Sequence, residues 1–136
     1  MMKEKKKFQQ LTSENICTIY RLLYKERFVS FPAEECSTAK AEALVASVNS
    51  AYFGKEIYAS HEEKAVAYLY FIIKNHIFID GNKRTACLSF SIVCDLNNLQ
   101  PNYRDFTLDE LAISLEQYKG KNYQQLIGAV AELLFT

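Results

Sequence analysis

Ile16, Ile19, Leu22 and Leu23 recur at three- and four-residue intervals, the spacing of one face of an α-helix, and predict a helix over about residues 13–27. Ala41, Leu44, Val45 and Val48 repeat the pattern and predict a second over about 38–51. Three later helices are marked at their starts by a polar residue with Glu or Gln three positions on, the capping-box spacing. Ser60-His61-Glu62-Glu63 opens one that runs to about Asn75. Thr107-Leu108-Asp109-Glu110 opens another, which Gly120 would end as a C-cap. Asn122-Tyr123-Gln124-Gln125 opens the last, to about Phe135. From Asn82 to Asn98 the chain is apolar nearly all round, and a helix without a polar face belongs in the middle of a bundle. The stretch Tyr52-Phe53-Gly54-Lys55-Glu56-Ile57-Tyr58 breaks the helical pattern. Its aromatic and β-branched residues around a glycine fit either a small hairpin or a plain helix-to-helix connection.

Only four glycines and two prolines interrupt 136 residues, which favours long helices joined by short loops. The fold class is therefore all-α: a bundle of about six helices in one domain over 11–136, preceded by a flexible basic tail over 1–10. A chain of this length can bury a core without metal or disulfide staples. The 16 basic and 16 acidic residues cancel. Beyond Lys3 to Lys7 no basic footprint remains, so no nucleic acid is expected as a direct partner. No apolar run approaches the roughly 18 residues that span a bilayer, and the first residues lack a signal-peptide core. The four cysteines form no CxxC pair, and Cys87 and Cys94 fit one helical face as small core residues. Two histidines 15 positions apart argue against zinc. A reducing, cytoplasmic setting is the simplest expectation.

The chemistry concentrates between the helix ending near Asn75 and the one starting near Asn82. His76 follows Leu69, Ile72 and Ile73 in helical phase, so it is expected to face the interior or a cleft. A neutral imidazole there can be a satisfied core histidine or can accept a proton from a substrate hydroxyl. Phe78 reads as an anchor for the loop. Asp80 can cap the next helix or, beside a phosphate cradle, hold Mg²⁺. Gly81 permits close approach of backbone to ligand, and a helix N-terminus favours an anion. Lys83 and Arg84 oppose the dipole of the helix they begin, so they either snorkel to solvent or serve a bound polyphosphate. The P-loop pattern GxxxxGK[ST] occurs nowhere.

His76-Ile77-Phe78-Ile79-Asp80-Gly81-Asn82-Lys83-Arg84 resembles the signature of the Fic/Doc family, His-x-Phe-x-Asp/Glu-Gly-Asn-Gly/Lys-Arg, at every fixed position. The resemblance implies a Fic-like bundle with a central buried helix, and an enzyme that uses ATP and Mg²⁺ to modify a Ser, Thr or Tyr hydroxyl on a target protein. It implies His76 as general base, Asp80 as the Mg²⁺ ligand, Gly81, Asn82 and Lys83 as an anion hole, and Arg84 on the phosphate chain. Phe53, Gly54, Lys55, Glu56 and Ile57 fall where the family carries its target-docking flap, which works by strand addition. AMP-transferring members typically have glycine in place of Lys83 and a second arginine in place of Cys87. Asn-Lys-Arg-Thr is similar instead to the Doc branch, which implies phosphate transfer, although the Doc toxin has alanine at Gly81. The family's self-inhibiting motif, Ser/Thr-x-x-x-Glu-Gly/Asn, is absent: Thr38 to Glu42 has the spacing but Ala43 follows. Control by a separate antitoxin-like protein, or by another part of a longer polypeptide, is the expectation. The alternative is an inactive nucleotide-binding or interaction module of the same fold, against which an intact His76 stands.

Overall fold

Side chains that satisfy free backbone groups set where most helices begin. Thr12 Oγ1 accepts the Asn15 N–H at 3.1 Å while Asn15 Oδ1 accepts the Thr12 N–H at 2.9 Å. Thr107 and Glu110 make the same reciprocal pair, both bonds 3.1 Å. Ser60 Oγ accepts from Glu63 N–H at 3.0 Å, and Asn122 Oδ1 accepts from Gln125 N–H. The computed structural model describes residues 6–32 and 35–136. Among them run α1 (Ser13–Lys25), α2 (Glu35–Val48), α3 (His61–Lys74), α4 (Asn82–Leu96), α5 (Leu108–Gln117) and α6 (Tyr123–Leu134). The strands β1 (Ala51–Tyr52) and β2 (Lys55–Glu56) pair antiparallel between α2 and α3, so the open choice at this stretch resolves as a hairpin. The fold is mostly α and fits a Fic-like bundle.

The central helix is α3. Every residue from Lys64 to Ile73 is buried, and α3 packs against α2, α4, α5 and α6. The all-round apolar pattern of 82–98 predicted that place for α4 instead. There the buried side is Thr85, Ala86, Ser89, Phe90, Val93 and Cys94, while Arg84, Ser91, Asp95 and Leu96 are exposed. The difference arises because, among the described helices, α4 packs on α1, α3 and α5, and one edge stays exposed.

Helix ends differ from expectation where side chains take over a glycine's task. α5 stops at Tyr118, in extended backbone (φ −65°, ψ 125°), before Gly120 is reached. Lys74 Nζ donates to the Glu116 and Tyr118 carbonyls at 2.9 and 2.6 Å, closing groups that a left-handed glycine cap would otherwise close. α2 ends at Val48, where Asn49 Nδ2 donates to Val45 C=O and Ser50 Oγ to Ser47 C=O. α1 ends in a Schellman turn with Arg27 at φ +65°, its Phe28 N–H bonding Leu23 C=O at 2.8 Å.

Of the flexible tail expected over 1–10, residues 1–5 lie outside the described residues, and the last residues are tied down. Gln9 exchanges two bonds with the Asn97 amide: its N–H donates to Oδ1 at 2.7 Å and its C=O accepts from Nδ2 at 2.9 Å. Leu11 is bonded to the buried Tyr68 hydroxyl, and the Phe8 ring stacks near Tyr68. This strap therefore adds hydrophobic burial and main-chain pairing that pure charge patterning could not foretell.

Candidate active site

α3 ends at Lys74, Asn75 caps it, and His76 follows at φ +45°. Glycine usually holds this position after a helix, since a side chain there costs about 1–2 kcal/mol. The left-handed turn also ends the helical phase from which a His76 facing the interior or a cleft was inferred, and of these the interior is excluded. The imidazole instead stands exposed, while Ile77 and Phe78 dive into the core. The His76 carbonyl accepts from Lys40 Nζ at 3.2 Å.

Two contacts hold the loop beyond it. The Phe78 ring stacks on Tyr20 of α1, centroids 3.9 Å apart and planes 12° off parallel. Tyr20 in turn donates its hydroxyl to Phe31 C=O. Burial, and then the nearby Asp80 carboxylate, push the Tyr20 phenol up. Asn82 grips Phe78 from α4: Oδ1 accepts its N–H at 3.1 Å and Nδ2 donates to its C=O at 2.8 Å. The Asn82 amide is thereby committed to the loop, leaving its backbone N–H for a ligand.

Gly81 enters α4 at φ +80° and lies so close to α1 and the segment after it that a Cβ would sit 2.2 Å from Val29 Cγ1. α4 begins without a side-chain cap and without an acidic residue in its first turn. The Thr85 N–H finds Gly81 C=O at 2.9 Å, so the N–H groups of Asn82, Lys83 and Arg84, at the positive end of the helix, have no partner among the described residues. Arg84 is exposed, its guanidinium 5.7 Å from the Phe28 ring centroid. Lys83 is half-exposed and bonds both oxygens of Glu116, at 2.9 and 3.0 Å. The Lys83 hydrogen bond, reinforced by the charges of Lys83, His76 and Lys74, holds the Glu116 carboxyl below its ordinary value.

A cavity of about 640 Å³ opens beside Lys83 and Arg84, between α4, α5 and the end of α1. Leu23, Phe28, Leu88 and Ile113 make it largely apolar, with Cys87 and Asp109 as further polar groups. Burial, then Asp109, push the Cys87 thiol up to about 12, so it is neutral and presents no charge there.

His76, Asp80, Gly81, Asn82, Lys83 and Arg84 are thus gathered in one loop and one helix start. The hairpin residues Phe53 to Ile57 are not brought to them. Glu56 pairs with Lys64 at 3.1 Å, and Lys64 lies ten residues before Lys74, about 15 Å along α3. The segment that reaches the site joins α1 to α2: Phe28 under Arg84, Val29 against Gly81, Phe31 bonded to Tyr20. Two aromatic residues close to Pro32 in a non-helical stretch were the available signal. For Glu116, one carboxylate among several on α5, no local pattern existed. Among the described residues no three His, Cys, Asp or Glu side chains cluster as a ready-made metal site.

A family model described as the Fic/DOC family matches residues 10–94, from the strap to the last turn of α4. The chain belongs to the Fic/DOC family. Proteins of this family are known for AMPylation or related modification, generally with ATP and a divalent metal. No curated protein and no solved structure matches the chain. In this Fic/DOC chain the family match ends before α5 and α6, so Asp109, Glu116 and the far wall of the cavity lie outside it. Among the described residues, no helix is long and apolar enough to cross a membrane.

Proposed function

We propose that this Fic/DOC chain transfers phosphate or AMP from ATP to a hydroxyl on another protein, with His76 as the general base. The observation that carries the reading is an exposed imidazole, held at a strained backbone position, beside a helix start that has no cap of its own. Backbone strain of this kind persists where surrounding structure over-determines it, and it concentrates at functional sites. The free N–H groups of Asn82, Lys83 and Arg84 suit phosphate oxygens, and preorganised donors of this kind carry much of the catalysis in phosphoryl transfer. Arg84 adds charge on the phosphate chain. His76 takes the proton from the target hydroxyl as its oxygen attacks phosphorus, and ADP leaves from attack at the γ phosphate or pyrophosphate from attack at the α phosphate.

Asp80 fits a divalent cation because it is exposed and makes no ion pair among the described residues. Mg²⁺ is commonly held by one or two carboxylates plus substrate phosphates, and it would supply charge neutralisation there. Phosphate transfer is the better supported branch. A triphosphate extended past Arg84 along α4 would meet a neutral Cys87 thiol and the Asp109 carboxylate, not a cation. Family membership suggests a protein target and an antitoxin-type partner. The exposed rings of Phe28 and Phe31, beside the site, are better placed than the hairpin to meet the target.

The test is incubation with ATP labelled at the α or the γ phosphate, together with lysate proteins. A γ-labelled band means phosphate transfer and an α-labelled band AMP transfer. Silence from both labels favours an inactive nucleotide-binding module. His76→Ala should remove the label yet leave nucleotide binding in place.

A further inference from the structure

Lys83 stands at the start of α4 where an anion is wanted, yet its ammonium is already engaged. The Glu116 carboxylate reaches across from the last turn of α5 and bonds it through both oxygens, at 2.9 and 3.0 Å. The backbone beneath Glu116 is tied to α3, because Lys74 Nζ donates to the Glu116 and Tyr118 carbonyls. Lys74 also closes α3 two residues before His76. The carboxylate therefore meets Lys83 from a helix end that Lys74 also ties to α3.

We propose that Glu116 is an internal stand-in for a nucleotide phosphate, one that occupies Lys83 in the resting chain and yields it when ATP enters. The idea rests on the nucleotide reading of the site. Two features fit it. Both partners are about 43 % exposed, so the bridge is of the weak, solvent-screened kind that a polyphosphate can displace. And a carboxylate left near the cradle repels phosphate, so Glu116 lowers affinity until it has been displaced. The device filters ligands by charge: a phosphate chain able to take Lys83 overcomes the latch, whereas an uncharged nucleoside has nothing to exchange for it.

Calorimetric titration of the whole chain with ATP–Mg²⁺ at low salt, for wild type and Glu116→Gln, tests it. Surface bridges of roughly 0.4–1 kcal/mol convert to an affinity gain of about two- to fivefold in Glu116→Gln. Adenosine binding should not change. Lys83→Gln should weaken ATP binding more in the Glu116→Gln background than in wild type, since only there is Lys83 free from the outset. Equal or weaker ATP binding by Glu116→Gln overturns the stand-in role alone, as does a matching gain for adenosine. Absence of ATP binding to either protein would overturn the nucleotide reading and the stand-in with it.

Discussion

Replacing Gly81 by alanine adds one methyl group at the tightest point of the site. Two costs are separable. A side chain at φ +80° carries about 1–2 kcal/mol of backbone strain. The new Cβ would also lie 2.2 Å from Val29 Cγ1, 3.1 Å from Val29 Cβ and 3.5 Å from Tyr20 Cε2. Val29 is 5 % exposed and β-branched, so it has few rotamers to yield with, and forced overpacking of this sort costs about 1–3 kcal/mol. The sum is about 2–5 kcal/mol, a large share of the stability of an ordinary domain. With a urea slope near 2 kcal/mol per molar, the midpoint should fall by roughly 1–2.5 M. Val29→Ala in the same chain removes Cγ1 and should recover part of the overlap cost but none of the strain. Transfer activity should fall in step, because the Phe78–Asn82 grip and the free N–H groups hang on this backbone. An alanine variant within about 0.5 kcal/mol of wild type would refute the close approach of Val29 and the reasoning built on it.

His76→Gly should raise stability by about 0.5–1 kcal/mol in urea unfolding, relieving the left-handed turn, while abolishing transfer; a loss of stability would show that the histidine side chain holds the loop. Glu56→Ala strands the nearly buried Lys64 ammonium and should cost about 1–3 kcal/mol, whereas Lys64→Met should cost less, and the reverse order would mean the pair is not the hairpin's tether. Glu116 should titrate below the ordinary carboxylate range in carbon NMR and move back up in Lys83→Gln. Because its folded value is depressed, the bridge contributes above the ordinary carboxylate pKa and fades as pH falls through the depressed one; an ordinary value in wild type would mean the bridge does not form in solution.

Local chemistry made most helix starts legible, since Ser60, Thr107 and Asn122 each cap within their own turn. The signature loop was legible too, as a run of residue types whose roles depend on short-range spacing. What failed depended on neighbours. The outward turn of His76 follows from a left-handed residue that periodicity cannot register, because extending a helical phase presumes that the helix continues. The ranking of α3 over α4 as central helix reflects which faces receive partners, and Lys64 hid it by placing a charge in the most enclosed element. The stretch 52–58 could be read as a hairpin or as a plain connection, and pairing of β1 with β2 decided it; its separation from the signature loop follows from the length of α3. Val29, Phe28 and Glu116 come to the loop across the bundle, where no spacing rule reaches.

The same amide grip secures α4 at both ends: Asn82 on Phe78 at one, Asn97 on Gln9 at the other. Gln9 therefore lies about 20 Å along α4 from the imidazole's end. An affinity handle or fluorophore attached ahead of Lys6 would emerge on that remote side. Tethering the protein to a sensor chip through it would turn the reactive face toward the flowing solution, unobstructed for nucleotide and target alike.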